Sequence, residues 1–93
     1  MKMKLSDLLI DESKWCQNNF AEDTYGLSVD PLDSEATSWC IVGAEVACEY
    51  TIEEKLDVIR AASGKVNTSL AAWQDMPERT FNEVRKFLLS IGH

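Results

Sequence analysis

Cys40 is the sharpest candidate for chemistry in this 93-residue chain. A thiol becomes a nucleophile when a histidine, a basic side chain or a helix N-terminus stabilises its thiolate. The only histidine is His93, and Trp39, Ile41 and Val42 flank Cys40 with apolar side chains. Such a setting raises a thiol pKa, so the residues favour a buried structural cysteine over a nucleophile. Asp75 comes next. It follows Trp73-Gln74 and precedes Met76-Pro77, with Arg79-Thr80 close behind. It is a candidate general base or ligand contact, but no second carboxylate stands beside it. As a turn residue it would accept backbone N–H groups or pair with Arg79. Trp15-Cys16-Gln17 and Trp73-Gln74 each set an amide beside an indole. An aromatic wall with an amide suits a small ligand. Trp15, Gln17, Cys40, Trp73 and Asp75 therefore make up the candidate ligand site. Plain packing of the tryptophans is the competing reading.

The three cysteines, Cys16, Cys40 and Cys48, show no C-x-x-C spacing. On one helix, residues 40 and 48 would lie about 12 Å apart, beyond the roughly 7 Å a disulfide spans. The expectation is reduced, buried thiols in a cytoplasmic protein. With a single histidine, no zinc pattern forms. Asp30-Pro31-Leu32-Asp33-Ser34-Glu35 is acidic but lacks the spacing of a calcium loop. No phosphate-binding glycine loop or nucleophile elbow is present. No metal and no cofactor is expected.

These residues must be positioned by elements, and the pattern reads as helical nearly throughout. A first helix is predicted over Ser6–Asn19, with Ser6 as cap and Leu5, Leu8, Leu9, Trp15 and Phe20 as a stripe interrupted between 9 and 15. Residues 21–33 form a long acidic loop punctuated by Gly26 and Pro31, with Leu27–Val29 a short extended piece. It is either a functional loop or a strap packing Tyr25, Leu27 and Leu32 onto the core. A second helix starts after Asp33, its cap, and is apolar almost all round, hence central. Gly43 costs about 1 kcal/mol in a helix, so a neighbouring helix should pass close over Gly43-Ala44. The third helix opens with a capping box, Thr51 with Glu54. Ile52, Leu56 and Ile59 line one face, and Gly64 ends it. A short helix opens at Asn67 or Thr68 and stops before Pro77. The last opens with Thr80 and Glu83, carries Phe81, Val84, Phe87, Leu88 and Ile91, and ends at Gly92. The sum is one all-α domain over residues 1–93, a small bundle of four main helices plus a short helical turn. The three tryptophans are its large core pieces.

Composition bounds the function. Hydrophobic residues are 45% and charged residues 27%, as in ordinary globular chains. No apolar run is long enough to span a bilayer, and Asp7, Asp11 and Glu12 interrupt what would be a secretory signal. The net charge is −7. Residues 1–50 carry ten acids and three bases, and residues 51–93 carry six of each. A phosphate-binding surface needs a basic stripe, so direct nucleic-acid binding is excluded, and an anionic membrane is disfavoured. Glu22, Asp23, Asp30, Asp33 and Glu35 are instead the candidate surface for a basic protein partner. The plainer alternative is that the acids keep a small domain in solution.

Read in order, the landmarks are Trp15 with Gln17, Gly26, Pro31, Trp39-Cys40-x-x-Gly43-Ala44, Ala72-Trp73-x-Asp75 and Arg79-Thr80-x-x-Glu83-Val84. Over roughly residues 5–91 this resembles a family of small uncharacterised proteins from bacteria and their phages. Its members show G-W-x-Q-G, then W-C-x-x-G-A, then W-N-D-x-x-x-R-T-x-x-E-V. This chain departs at Lys14 and Asn18, where glycines are common, and at Gln74, where asparagine is usual. The resemblance implies an all-helical fold and a bacterial or phage origin, and brings no activity with it.

Two functions follow. The favoured one is a non-enzymatic protein-interaction module, such as a phage-encoded inhibitor of a basic host or defence protein. The alternative is a binder of a small molecule or nucleotide signal, or a minor cysteine hydrolase, built on Trp15, Gln17, Cys40, Trp73 and Asp75.

Overall fold

The computed structural model describes residues 3–66 and 68–93. It runs α1 (Leu5–Leu8), a 3-10 turn (Glu12–Lys14), β1 (Ala21–Glu22), β2 (Ser38–Trp39), α2 (Ile41–Ala47), α3 (Ile52–Ala62), α4 (Leu70–Gln74) and α5 (Phe81–Ser90). The strands pair antiparallel, Ala21 opposite Trp39 and Glu22 opposite Ser38. The all-α four-helix bundle is therefore not what forms. Among the described residues only α2, α3 and α5 reach seven residues, and a β-ribbon precedes them in the chain.

Two predicted helices are overturned, for local reasons. The helix expected over Ser6–Asn19 stops after one turn, at Leu9. Ser6 lies inside α1 rather than capping it; the Lys4 N–H donates instead to Asp7 Oδ2 at 3.3 Å. Asp11 then turns its carboxylate onto the Ser13 N–H (2.9 Å), which caps the 3-10 turn. Trp15 is extended, and the Cys16 N–H donates to the Trp39 carbonyl at 3.1 Å. Asn18 takes φ +69°, a left-handed value that suits asparagine. The second helix begins at Ile41, not after Asp33. Asp33 holds a turn by accepting the Glu35 N–H at 2.8 Å. Residues 38 and 39 then spend their backbone on β1, and Cys40 becomes the cap of α2: its Sγ accepts the Gly43 N–H at 3.3 Å.

The capping geometry of the later helices is local. Thr51 Oγ1 accepts the Glu54 N–H (3.1 Å) and Glu54 returns a bond to the Thr51 N–H (2.8 Å). Thr80 and Glu83 do the same at the head of α5, at 3.2 and 3.0 Å. Ser69 caps α4; of the two residues expected to open that helix, Thr68 lies before this cap and Asn67 lies outside the described residues.

The core joins α1, α2 and α5. Leu5, Leu9, Ile41, Ala44, Val84 and Leu88 are completely buried, with Val58 and Ala62 reaching in from α3. Each large aliphatic side chain so buried contributes about 1.5–3 kcal/mol. The indoles sit at the margin rather than the centre: Trp15 packs on Phe81 (6.3 Å between rings) and Trp73 on Phe87 (5.2 Å). The molecule is a disc, 35 × 33 × 19 Å, so its short axis admits about two helix layers. No helix among the described residues is long and apolar enough to cross a membrane.

Three expectations about packing change as well. The close approach at Gly43 comes from the Phe20 carbonyl rather than a helix: a Cβ there would stand 1.7 Å from that oxygen. The Ile52-Leu56-Ile59 face of α3 points outward, with Ile52 76% and Ile59 57% exposed. The strap does not form either: Tyr25, Leu27 and Leu32 all face solvent.

Candidate functional site

Three segments converge where the chain leaves α4: residues 15–18, the start of α2 and residues 74–76. Gln74, only 1% exposed, is the hub. Its Oε1 accepts the Trp15 indole N–H at 2.6 Å and the Ile41 backbone N–H at 3.1 Å. Its Nε2 donates to Asp75 Oδ1. Asp75 Oδ1 also accepts the Asn18 N–H at 2.9 Å. Gln17 Nε2 donates to the carbonyls of Gln74 (2.9 Å) and Met76 (2.8 Å). Buried polar groups are costly unless paired, and here most find a partner far away in sequence, the Gln74 amide N–H on the adjacent Asp75 being the local exception.

The structure thus brings Trp15, Gln17 and Asp75 to one node and sets Cys40 beside it. Trp73 turns away, with the Arg79 guanidinium 4.2 Å over its ring. Arg79 does not pair with Asp75; it reaches Glu83 at 2.9 Å and the Trp73 carbonyl at 3.1 Å. A cavity of about 380 Å3 opens against the node, lined by Asn18, Asn19, Ser28, Cys40, Gln74 and Asp75 among others. Its size suits a small ligand.

The chemistry on its wall is blunted. Burial pushes the Cys40 thiol above its ordinary value; the Gly43 N–H opposes this and the Asp75 charge adds to it. Burial, with the Glu22 charge, pushes Cys16 up to about 12. A protonated thiol that caps a helix is a poor nucleophile. All three cysteines are buried and unbridged. His93 is engaged elsewhere, between Tyr50 Oη (2.9 Å) and Asp57 Oδ2 (2.6 Å). Among the described residues, no group of three or more His, Cys, Asp or Glu side chains could hold a metal.

The five acids proposed as partner surface lie on one stretch. Glu22 sits on β1 and takes the Asn19 amide at 2.8 Å. Asp23, Asp30 and Asp33 each accept backbone N–H groups ahead of them, at Tyr25, Leu32 and Glu35. The Trp39 indole N–H donates to the Pro31 carbonyl at 3.0 Å and ties the stretch down. These turns fix an exposed set of apolar side chains, Phe20, Tyr25 (87% exposed), Leu27 and Leu32 (64%).

Sequence reasoning missed Gln74 as the hub, since an amide beside an indole did not show which atoms it would meet. It also missed Glu45. That residue is the lone charge in the apolar run of α2, and it is 6% exposed. A single acid inside an apolar helix was the available signal.

No curated protein and no solved structure matches the chain. Residues 4–91, which span every element from α1 to α5, match one family throughout, and the chain belongs to that family of unknown function, DUF6197.

Proposed function

We propose that this protein is a non-enzymatic interaction module that engages a basic protein partner through residues 20–35. The observation that carries the reading is the exposed set Phe20, Tyr25, Leu27 and Leu32 standing among Glu22, Asp23, Asp30, Asp33 and Glu35. Large apolar side chains on a well-tied loop cost solvation and give the fold nothing in return. A loop already ordered by side-chain turns loses little entropy on binding. Tyrosine and leucine anchors ringed by acids suit a partner surface that alternates apolar pockets with lysine or arginine. The setting that fits is a bacterial cell or its phage, with a basic host or defence protein as target. The blunted thiol and the fully paired node favour this over a cysteine hydrolase.

The test compares wild type with Tyr25→Ser/Leu32→Ser and with Asp30→Lys/Asp33→Lys as baits in host lysate, at low and high salt. A basic protein retained by wild type should be lost from both variants while their melting temperatures stay near that of wild type. Raised salt should weaken capture. Retention that survives both variants, or no specific capture at all, defeats the reading.

A further inference from the structure

A second concavity lies away from the acidic loop, between α2, the end of α3 and the start of α4. It encloses about 540 Å3, and its walls are mostly apolar: Val42, Ile59, Ala62, Val66 and Leu70. Among the described residues one charged side chain lines it, Glu45. Glu45 is more than nine-tenths buried. Among the described residues no hydrogen bond or ion pair reaches its carboxylate, whose oxygens keep contact with solvent at the groove although the residue as a whole is buried. Lys55 and His93 act on it only at a distance, and His93 is already paired with Asp57. Burial strips part of the water from this carboxylate, and a cation seated in the groove would replace that lost solvation.

We propose that this groove binds an aliphatic ammonium ion, the alkyl body against Val42, Ile59, Ala62 and Leu70 and the ammonium on the Glu45 carboxylate. The walls supply apolar contact and the carboxylate supplies orientation, which is the usual division in small-ligand sites. The overall charge of −7 raises the local concentration of cations and repels anions of the same shape. Burial pushes the Glu45 carboxyl up to about 7, against the pull of Lys55 and His93. Near neutrality the group is thus divided between its protonated and ionised forms, and a bound cation favours the ionised one. The site is independent of any protein bound by the acidic loop.

The probes are hexylamine, hexanol and hexanoate, titrated into the isotope-labelled full chain at fixed ionic strength and followed by amide NMR shifts. The expected result is saturable shifts at Val42, Glu45, Ile59 and Leu70, with the amine about tenfold tighter than the alcohol and hexanoate silent. One charge-assisted hydrogen bond of about 1.4 kcal/mol gives that ratio. Glu45→Gln should bring the amine down to the level of the alcohol and leave alcohol binding unchanged. Equal binding of amine and alcohol by wild type overturns the proposal. So does an absence of saturation at tens of millimolar, or shifts confined to other surfaces. The wild-type comparison decides the matter even if the variant fails to fold.

Discussion

Gly43 and Gln74 show at the residue scale how single side chains hold distant segments together. The Phe20 carbonyl rests where a Cβ of residue 43 would be, and it also accepts the Cys40 N–H at 3.2 Å. Gly43→Ala must push the backbone of residue 20 away and break that bond. The expected cost is about 3 kcal/mol or more in chemical denaturation, although alanine is the better helix former. A neutral or stabilising result would mean that the segment before β1 sits elsewhere. Gln74→Leu keeps the apolar volume but leaves the Trp15 indole N–H and the Ile41 N–H without their acceptor. Each orphaned donor costs roughly 1–3 kcal/mol, so a loss of about 2–6 kcal/mol is expected, with indole fluorescence reporting the freed Trp15. Part of this node was legible in sequence. Trp15, Gln17 and Asp75 stood out because an indole, an amide and a turn carboxylate need partners. Their use was not legible, because their partners lie more than fifty residues away. Cys40 looked like a thiol set inside a helix, and it turned out to be the cap that starts one.

At the level of elements, local chemistry was readable and pairing across the chain was not. The Thr51–Glu54 and Thr80–Glu83 spacings lie at the heads of α3 and α5 because both partners sit within one turn. The β-ribbon could not be read, since each strand is two residues long and its paired residues lie 16 and 18 positions apart. Periodicity also misled in α3. Ile52, Leu56 and Ile59 recur at helical spacing, yet Val58 and Ala62 are the residues that enter the core. The helix carries two apolar stripes, and spacing alone does not say which one packs. Paired substitutions separate them. Ile52→Ser should change stability by no more than about 0.5 kcal/mol, as an exposed change does. Val58→Ala, at a completely buried site, should cost on the order of 2 kcal/mol. Equilibrium urea unfolding of both variants checks the assignment, and the reverse ranking would turn α3 over.

For the whole molecule, the unusual term is the pH dependence that Glu45 imposes. Its folded pKa, about 7, lies above its ordinary value of 4.5, and burial is the main cause. Between those two values the folded chain binds more protons than the unfolded chain. Stability must therefore fall as pH rises through that window, and level off above it. Most carboxylates slope the other way. Asp11, held down by the Ser13 hydroxyl, and Glu83, held down by the Thr80 N–H, have lowered values. Their contributions are lost only as pH drops below the ordinary carboxylate range, so they do not overlap the window. Charge repulsion in a chain of −7 also grows with pH and adds to the decline. Glu45→Gln separates the two causes, because it removes the buried titration and hardly alters the surface field. The variant should match wild type near pH 4, where Glu45 is protonated in both the folded and the unfolded chain, and exceed it near pH 8, with a flatter profile between. Thermal unfolding at fixed ionic strength across that range is the measurement. Parallel profiles for the two proteins would mean that burial does not perturb the Glu45 carboxylate, and the ammonium groove would lose the charged wall the proposal depends on.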